Sequence, residues 1–348
     1  DRDDALKLAH DLVAKHKDAS IRVTKERFDD EARTFRSITI FESGTEAFKD
    51  PAEKTGEATL PCLTPDDLSK PHARSTIRRV LSGWLERVQA LPMELLHRPD
   101  LVENLESSET TLQHAIQKVA VASASDSDAS VHGFVKQLNE LVQKSLNRIY
   151  KDGRDNKLPE FPKKAAFSEI ADKVYRADRR AYSLRAAMAD RLRHEKNYGS
   201  KLEALLDMAD QLPESDEARS FAIGEVDSYL AEVISFDAGR EALLGKCKDL
   251  GETMEKLACL VDGDYGADAI VYAPRAAKRL AEKIGSKEFQ ACRAIIADEI
   301  LKELERPQRF RPNSVKAEVR LSRDLARKLI MCADSTLPAD KLSKAFAS

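Results

Sequence analysis

The feature that most constrains the fold of this chain is a helical periodicity that runs through residues 163–263. Apolar residues recur there at steps of three and four, which places them on one face of a helix. Pro213 cannot continue a first helix, whereas Ser215 can cap a second one and Gly263 can end it. The pattern therefore predicts two helices of about fifty residues each, folded into a long antiparallel hairpin.

The charge distribution along this stretch indicates the same pairing of the two helices. Between Lys173 and Lys196 there are eight bases and three acids, whereas Asp207 to Asp264 carries fifteen acids and five bases. Such pairs set register more than stability, because an exposed ion pair contributes only about 0.2–1 kcal/mol. Arms of this length span about 70 Å, so the sequence predicts an elongated multi-helix molecule.

The rest of the chain reads as further amphipathic helices, so the predicted fold class is all-α. Residues 3–17 have a helical apolar stripe, and residues 25–42 fit either a helix or a strand, with the helix favoured. A Pro- and Gly-bearing stretch predicts a boundary at 151–162. The predicted domains are an N-terminal helical bundle (1–150), a linker (151–162), the hairpin (163–263) and a small C-terminal helical unit (264–348).

Composition bounds the class of protein. Charged residues make up 34% and aromatic residues 6% of the chain, which is typical of long helices and bundles. A formal net charge of −3 argues against a generic nucleic-acid or membrane-surface role. There is no apolar run long enough to insert into a membrane and no signal segment, and the five scattered cysteines indicate a reducing cytoplasm. The chain begins at Asp1, so we expect it to be a piece of a longer polypeptide.

No motif in the sequence predicts catalytic, cofactor-binding or metal-binding residues. Glu94 and His97 match one half of a di-iron Glu-x-x-His motif, but no second copy is present. Residues 262–268 carry alternating carboxylates as calcium loops do, but Ala267 and Ala273 stand where glycine and a bidentate acid are needed. We interpret this stretch as a turn that ends a helix.

Two basic clusters are candidate sites for a phosphate group or an acidic partner. The first lies on one predicted helix face, within an arc of about 60°. The second follows Arg306 and has few acids and one aromatic residue, Phe310, so it lacks the stacking residues of a single-strand binder. A helix is predicted over 315–332, capped by Asn313 or Ser314, with the apolar residues Val319, Leu321, Leu325, Leu329 and Ile330. The alternative for the first cluster is that the acidic second arm neutralises these bases, or that they are simply solvated. The candidate residues are Lys173, Arg176, Arg180, Arg191, Arg309, Arg311, Arg320 and Arg323.

Three functions are compatible with these observations. The leading hypothesis is a non-enzymatic interaction or regulatory protein, a scaffold or signalling adaptor, whose hairpin is a spacer or dimerisation arm for a protein partner or a second copy. The second is a phosphate-recognising module that binds nucleic acid or a nucleotide messenger. The third is a metal-dependent helical hydrolase. His10-Asp11 matches the His-Asp dipeptide of all-helical phosphohydrolases, but further ligands cannot be placed.

Overall fold

Two units make up the chain, Asp1–Thr59 and Leu60–Ser348, and each is described here by itself. The structure is a computed structural model. It describes residues 21–29, 34–43, 62–108, 110–125, 130–162, 164–265, 274–306 and 308–347.

The first unit contains an antiparallel pair of strands, β1 (Ile21–Asp29) and β2 (Thr34–Ser43). Their register places Ile21 opposite Ser43 and Asp29 opposite Thr34, with an irregularity between Val23 and Thr24. The helix favoured for residues 25–42 was therefore wrong. Residues 37–41 alternate Ser, Ile, Thr, Ile and Phe, and such β-branched and aromatic residues favour a strand. The helix predicted over 3–17 lies outside the described residues.

Within the described residues of the second unit, every regular element is helical, which confirms the all-α class there. The unit begins with a short 3-10 helix (Asp67–Ser69), and fifteen α-helices follow it. They are α1 (Pro71–Val88), α2 (Pro92–Leu95), α3 (Pro99–Ser107), α4 (Thr111–Ser125), α5 (Val131–Arg154), α6 (Phe167–Tyr175), α7 (Arg180–Leu192), α8 (Tyr198–Ala209), α9 (Asp216–Ser235), α10 (Asp237–Leu244), α11 (Leu250–Asp262), α12 (Arg275–Gly285), α13 (Gln290–Glu305), α14 (Val315–Met331) and α15 (Ala339–Ala347).

The two continuous helices predicted over 163–263 are not present, because six shorter helices, α6 to α11, occupy this stretch. Local hydrogen bonds divide it. The side chain of Asn197 accepts from the backbone of Ser200 to start α8, and Asp249 caps α11 in the same way. Gly245, at φ 70°, ends α10 in a conformation that favours glycine. Caps of this kind offer the backbone an alternative to continuing a helix.

Helix α9 lies at the centre of the second unit and packs against α6, α7, α8, α10 and α13. Twelve of its twenty residues are buried, so it has no solvent face wide enough for an amphipathic pattern. Around it runs one connected cluster of buried apolar side chains, which extends from Leu81 in α1 to Leu342 in α15. The predicted domain bounds stay predictions, but residues on both sides of 151–162 contribute to this cluster.

Candidate interaction surface

The first predicted basic cluster does not lie on one helix. Lys173 is in the last turn of α6 and Arg176 is the residue that caps it, whereas Arg180 begins α7 and Arg191 is in its last turn. The chain leaves helical geometry at Arg179, with φ −108° and ψ 44°. The single helix that would have aligned the four side chains therefore does not exist.

Two of these four side chains have partners inside the molecule. The guanidinium carbon of Arg180 lies 4.9 Å from the ring centre of Tyr175 and 5.4 Å from that of Phe221, which is cation–π geometry. Nη1 of Arg191 lies 2.6 Å from Oε1 of Glu195. Lys173 and Arg176 are exposed and form no ion pair with a described residue.

In the second predicted cluster, Arg311 holds the segment before α14 against α11. Its Nη1 donates to both carboxylate oxygens of Asp249, at 2.5 and 2.7 Å, and its Nη2 donates to Glu255 at 2.8 Å. The hydrogen bond from Arg311 is the main reason why the pKa of Asp249 lies below its usual range. Arg311 therefore has a structural role, whereas Arg309 is exposed.

Helix α14 carries the other two candidates and is half buried. The hydroxyl of Ser314 caps it by accepting from the backbone of Ala317 at 3.3 Å. Leu321, Leu325 and Leu329 form its buried stripe. Its opposite side faces solvent in the second unit.

Apolar residues on the flank between the buried stripe and that opposite side are strongly exposed. Val315 is 66% exposed, and Val319 and Ile330 are each 47% exposed. At about 100° per residue these three side chains fall within an arc of about 60°. Val319 and Ile330, which the sequence groups with the three leucines, are therefore not part of the buried stripe. The spacing of Val315 and Val319, offset from the Leu321, Leu325 and Leu329 stripe, is the sequence signal that could have revealed this second face.

Four bases lie beside these apolar residues, within the next arc of about 60° on the helix. The side chain of Arg320 is 87% exposed, and its carboxylate neighbour, Asp324, lies 3.9 Å away. Lys316, Arg323 and Arg327 are exposed and form no ion pair within the ranges that the structure describes. We call the combined surface the α14 face; it comprises Val315, Lys316, Val319, Arg320, Arg323, Arg327 and Ile330.

Two adjoining surface hollows lie beside α10, with volumes of about 380 and 340 Å³. They share Glu241, Gly245 and Lys246. The first is lined mainly by apolar surface, including that of Tyr198, and the second by polar and apolar surface in similar amounts, including that of Cys247. Both are open to solvent, unlike the clefts that bury most of the surface of a small-molecule ligand.

Glu94 and His97, which match half of a di-iron motif, make contacts within the protein. The carboxylate of Glu94 is fully buried and accepts from Arg98 at 2.8 Å, from the backbone of Leu91 at 3.0 Å and from Lys201. Nδ1 of His97 lies 2.7 Å from the carbonyl oxygen of Met93. Because carbonyl oxygens only accept, this contact assigns the ring proton to Nδ1. Burial lowers the pKa of His97 to about 3, so the ring is neutral.

Within the described residues, no group of three or more His, Cys, Asp or Glu side chains is arranged to hold a metal ion. His10 and the end of the calcium-like stretch at 262–268 lie outside those residues. In the same described ranges, no helix is both long and apolar enough to cross a lipid bilayer. Comparison of the chain with protein-family models, curated proteins and solved structures found no match.

Proposed function

We propose that this protein is a helical interaction or regulatory protein, a scaffold or adaptor that acts through protein–protein contacts made by the α14 face. The observation that supports this is that exposed apolar side chains lie beside four exposed bases on one helix, three of which form no ion pair with a described residue. A spacer or dimerisation arm made of two long helices has lost its basis, because α6 to α11 are short.

The chemistry of the α14 face favours a partner that presents carboxylates beside apolar side chains, such as an acidic amphipathic helix. Single exposed apolar residues are ordinary on protein surfaces, whereas apolar residues grouped beside polar ones are typical of interaction sites. The four bases give specificity and speed to the encounter, and Val315, Val319 and Ile330 provide apolar area to bury. A purely electrostatic phosphate contact would leave the three apolar residues without a role.

The proposal includes a reducing, cytoplasmic setting. Cys247, Cys259, Cys292 and Cys332 are thiols that form no disulfide. Such thiols are usual where glutathione and thioredoxin keep cysteines reduced.

The test compares two variants of the α14 face in binding an isolated partner. One removes charge (Lys316→Glu, Arg323→Glu and Arg327→Glu), and the other removes apolar surface (Val319→Ser and Ile330→Ser). The matched control on α5 is Val131→Ser with Lys136→Glu and Lys144→Glu, all at exposed positions. We expect both α14 variants to lose the same partner and the α5 variant to retain it, measured by titration calorimetry and analytical ultracentrifugation.

A salt titration separates the phosphate alternative from the proposal. If the α14 face binds nucleic acid, log affinity falls linearly with log salt, with a slope set by the number of phosphates contacted. In that case the charge variant loses binding and the Val319→Ser and Ile330→Ser variant keeps it. That result, or an unchanged partner affinity in both α14 variants, would overturn the proposal.

A further inference from the structure

Lysine and cysteine side chains meet between α11 and α14. Nζ of Lys328, on α14, donates to Sγ of Cys259, on α11, at 3.2 Å. The same ammonium lies 3.3 Å from Oδ2 of Asp262. Cys259 is 4% exposed, whereas the side chain of Lys328 is 31% exposed. A lysine nitrogen is therefore held against a buried sulfur, and it becomes a nucleophile once it gives up its proton.

The 3.2 Å between Nζ of Lys328 and Sγ of Cys259 is short enough for the two atoms to react with each other. Reacting atoms about 3–3.5 Å apart, held by the fold, gain a large effective concentration over the same groups in solution. A cysteine sulfenic acid, formed by peroxide, condenses with a thiol to a disulfide or with a backbone nitrogen to a sulfenamide. A deprotonated lysine amine is a stronger nucleophile than a backbone amide. At Cys259 the side-chain nitrogen of Lys328 lies within that range, and the nearby Asp262 carboxylate can accept the ammonium proton.

We propose that Cys259 and Lys328 are a redox modification site, at which hydrogen peroxide drives formation of a covalent sulfur–nitrogen bridge between α11 and α14. The bridge joins the helix that carries the α14 face to the core of the second unit. It does not depend on what that face binds.

The reaction has two steps. In the first, Sγ of Cys259 attacks one peroxide oxygen; the S–O bond forms, the O–O bond breaks, and the thiol proton leaves with the second oxygen as water. In the second, Lys328 gives its ammonium proton to Asp262 or solvent, and the amine attacks Sγ. The S–N bond forms, the S–O bond breaks, and the hydroxyl leaves with an amine proton as water. Sulfur loses two electrons, and one peroxide is reduced to two waters.

Two neighbouring thiols are less suited to this chemistry. Sγ of Cys332 donates to the other oxygen of Asp262 at 3.2 Å, and burial raises its pKa to about 11, so it stays a protonated thiol. Cys247 lies 3.5 Å from Nζ of Lys256, but that ammonium also donates to the carbonyl of Leu244 at 2.9 Å and pairs with Glu252. Lys256 thus has two oxygen partners, whereas Lys328 has one, Asp262, among the described residues.

The test treats the full chain with hydrogen peroxide, removes the oxidant, blocks the remaining thiols and maps the peptides by mass spectrometry without reductant. We expect the peptides that contain Cys259 and Lys328 to be joined, with a mass lower by two hydrogens, and to separate on addition of dithiothreitol. The Cys332→Ser variant should retain this bridge, which excludes a disulfide of equal mass.

Lys328→Arg is the matched control, because it keeps a cation beside Asp262 and Cys259 but replaces the amine with a weakly nucleophilic guanidinium. Thermal unfolding checks that it folds like the wild type. In this variant the bridge should fall to background, and Cys259 should be trapped instead as a sulfenic acid by dimedone. The proposal is overturned if wild-type Cys259 forms a disulfide with Cys332, is oxidised without linkage to Lys328, or stays unoxidised at a peroxide concentration that oxidises Cys247.

Discussion

Individual buried charges hold the junction of α1, α2, α8 and α9 together. Lys201 is 2% exposed and pairs with the fully buried Glu94, while Arg74 pairs with Glu232 at 2.6 Å. Glu232 also accepts from the backbone of Met93 at 3.0 Å. Burial raises the pKa of Glu232, whereas Arg74 lowers it. Each charge here depends on its partner, because an unpaired ion in such surroundings is costly.

Removal of one partner should therefore be far more harmful than removal of an exposed pair. We expect Glu94→Ala to cost about 3–5 kcal/mol of unfolding free energy, because Lys201 stays buried without its carboxylate. Asp298→Ala is the control; Asp298 pairs with Lys302 at 2.7 Å, and both side chains are more than half exposed. Its cost should stay below about 1 kcal/mol. Urea unfolding measures both, and equal losses would contradict this account.

His97 should make the fold sensitive to acid. Its pKa is about 3 in the folded protein and 6.5 for an ordinary histidine, so the unfolded chain takes up the proton first as pH falls. The stability that His97 provides is complete above pH 6.5 and is lost as pH falls from 6.5 towards 3. Between pH 7 and pH 5 the loss should be about 2 kcal/mol.

The measurement is urea unfolding of the wild type and of His97→Phe at pH 7 and pH 5. Because other groups titrate equally in both proteins, the difference between the two pH responses isolates His97. The variant should lose about 2 kcal/mol less than the wild type. Identical pH responses would mean that the pKa of His97 is the same in the folded and unfolded states.

Several helices in this protein are separated by abrupt changes of chain direction. The clearest one lies between α9 and α10. Phe236 adopts an extended conformation, with φ −91° and ψ 142°, between the two helices. The chain then turns back so closely that a Cβ on Gly239 would overlap the carbonyl oxygen of Val233. A side chain at Gly239 is therefore incompatible with this break.

Two glycine substitutions should accordingly have opposite effects. Gly239→Ala should cost about 3 kcal/mol, because the backbone around Val233 must move. Gly224→Ala, in the interior of α9, should stabilise by about 1 kcal/mol, because a Cβ there meets nothing within 4 Å and alanine favours the helix. Thermal and urea unfolding measure the change in stability of both variants. A neutral Gly239→Ala would show that α9 and α10 are not joined by this close approach.

The second unit as a whole is held by one core. Tyr198 of α8 donates to the carbonyl oxygens of Leu85 and Ala90 at 3.2 and 3.3 Å, and it stacks on Phe236 with ring centres 4.6 Å apart. These contacts join residues from before and after the predicted linker at 151–162. Cooperative unfolding is the behaviour expected of such a connected core.

A fragment experiment tests this. Residues 60–348 should keep their helical circular dichroism and unfold in a single transition, because the buried cluster lies within this range. Fragments 60–150 and 163–348 should each lose stability when separated and regain it on mixing. Two separately stable fragments with independent transitions would instead support the domain bounds predicted from sequence.

The spacing of apolar residues was enough to predict that most of the second unit is helical. The Leu321, Leu325 and Leu329 stripe of α14 is an example, because a helix buries residues three and four apart regardless of what covers them. The breaks within 163–263 were harder to read, because successive short helices keep the same spacing. The capping signals at Asn197 and Asp249 are present in the sequence, but their effect is local and weak beside a long periodic pattern.

Apolar periodicity was therefore sufficient to specify that the second unit is helical and which stripe of each helix is apolar, but it did not reveal the strands of the first unit. It could not specify which second stripe stays uncovered, as at Val319 and Ile330, or which bases find carboxylates. Arg311 is neutralised by Asp249, more than sixty residues earlier in the chain, whereas Arg323 on the next helix has no such partner among the described residues. Such pairings depend on how helices distant in sequence pack, and local residue preferences carry no information about that packing.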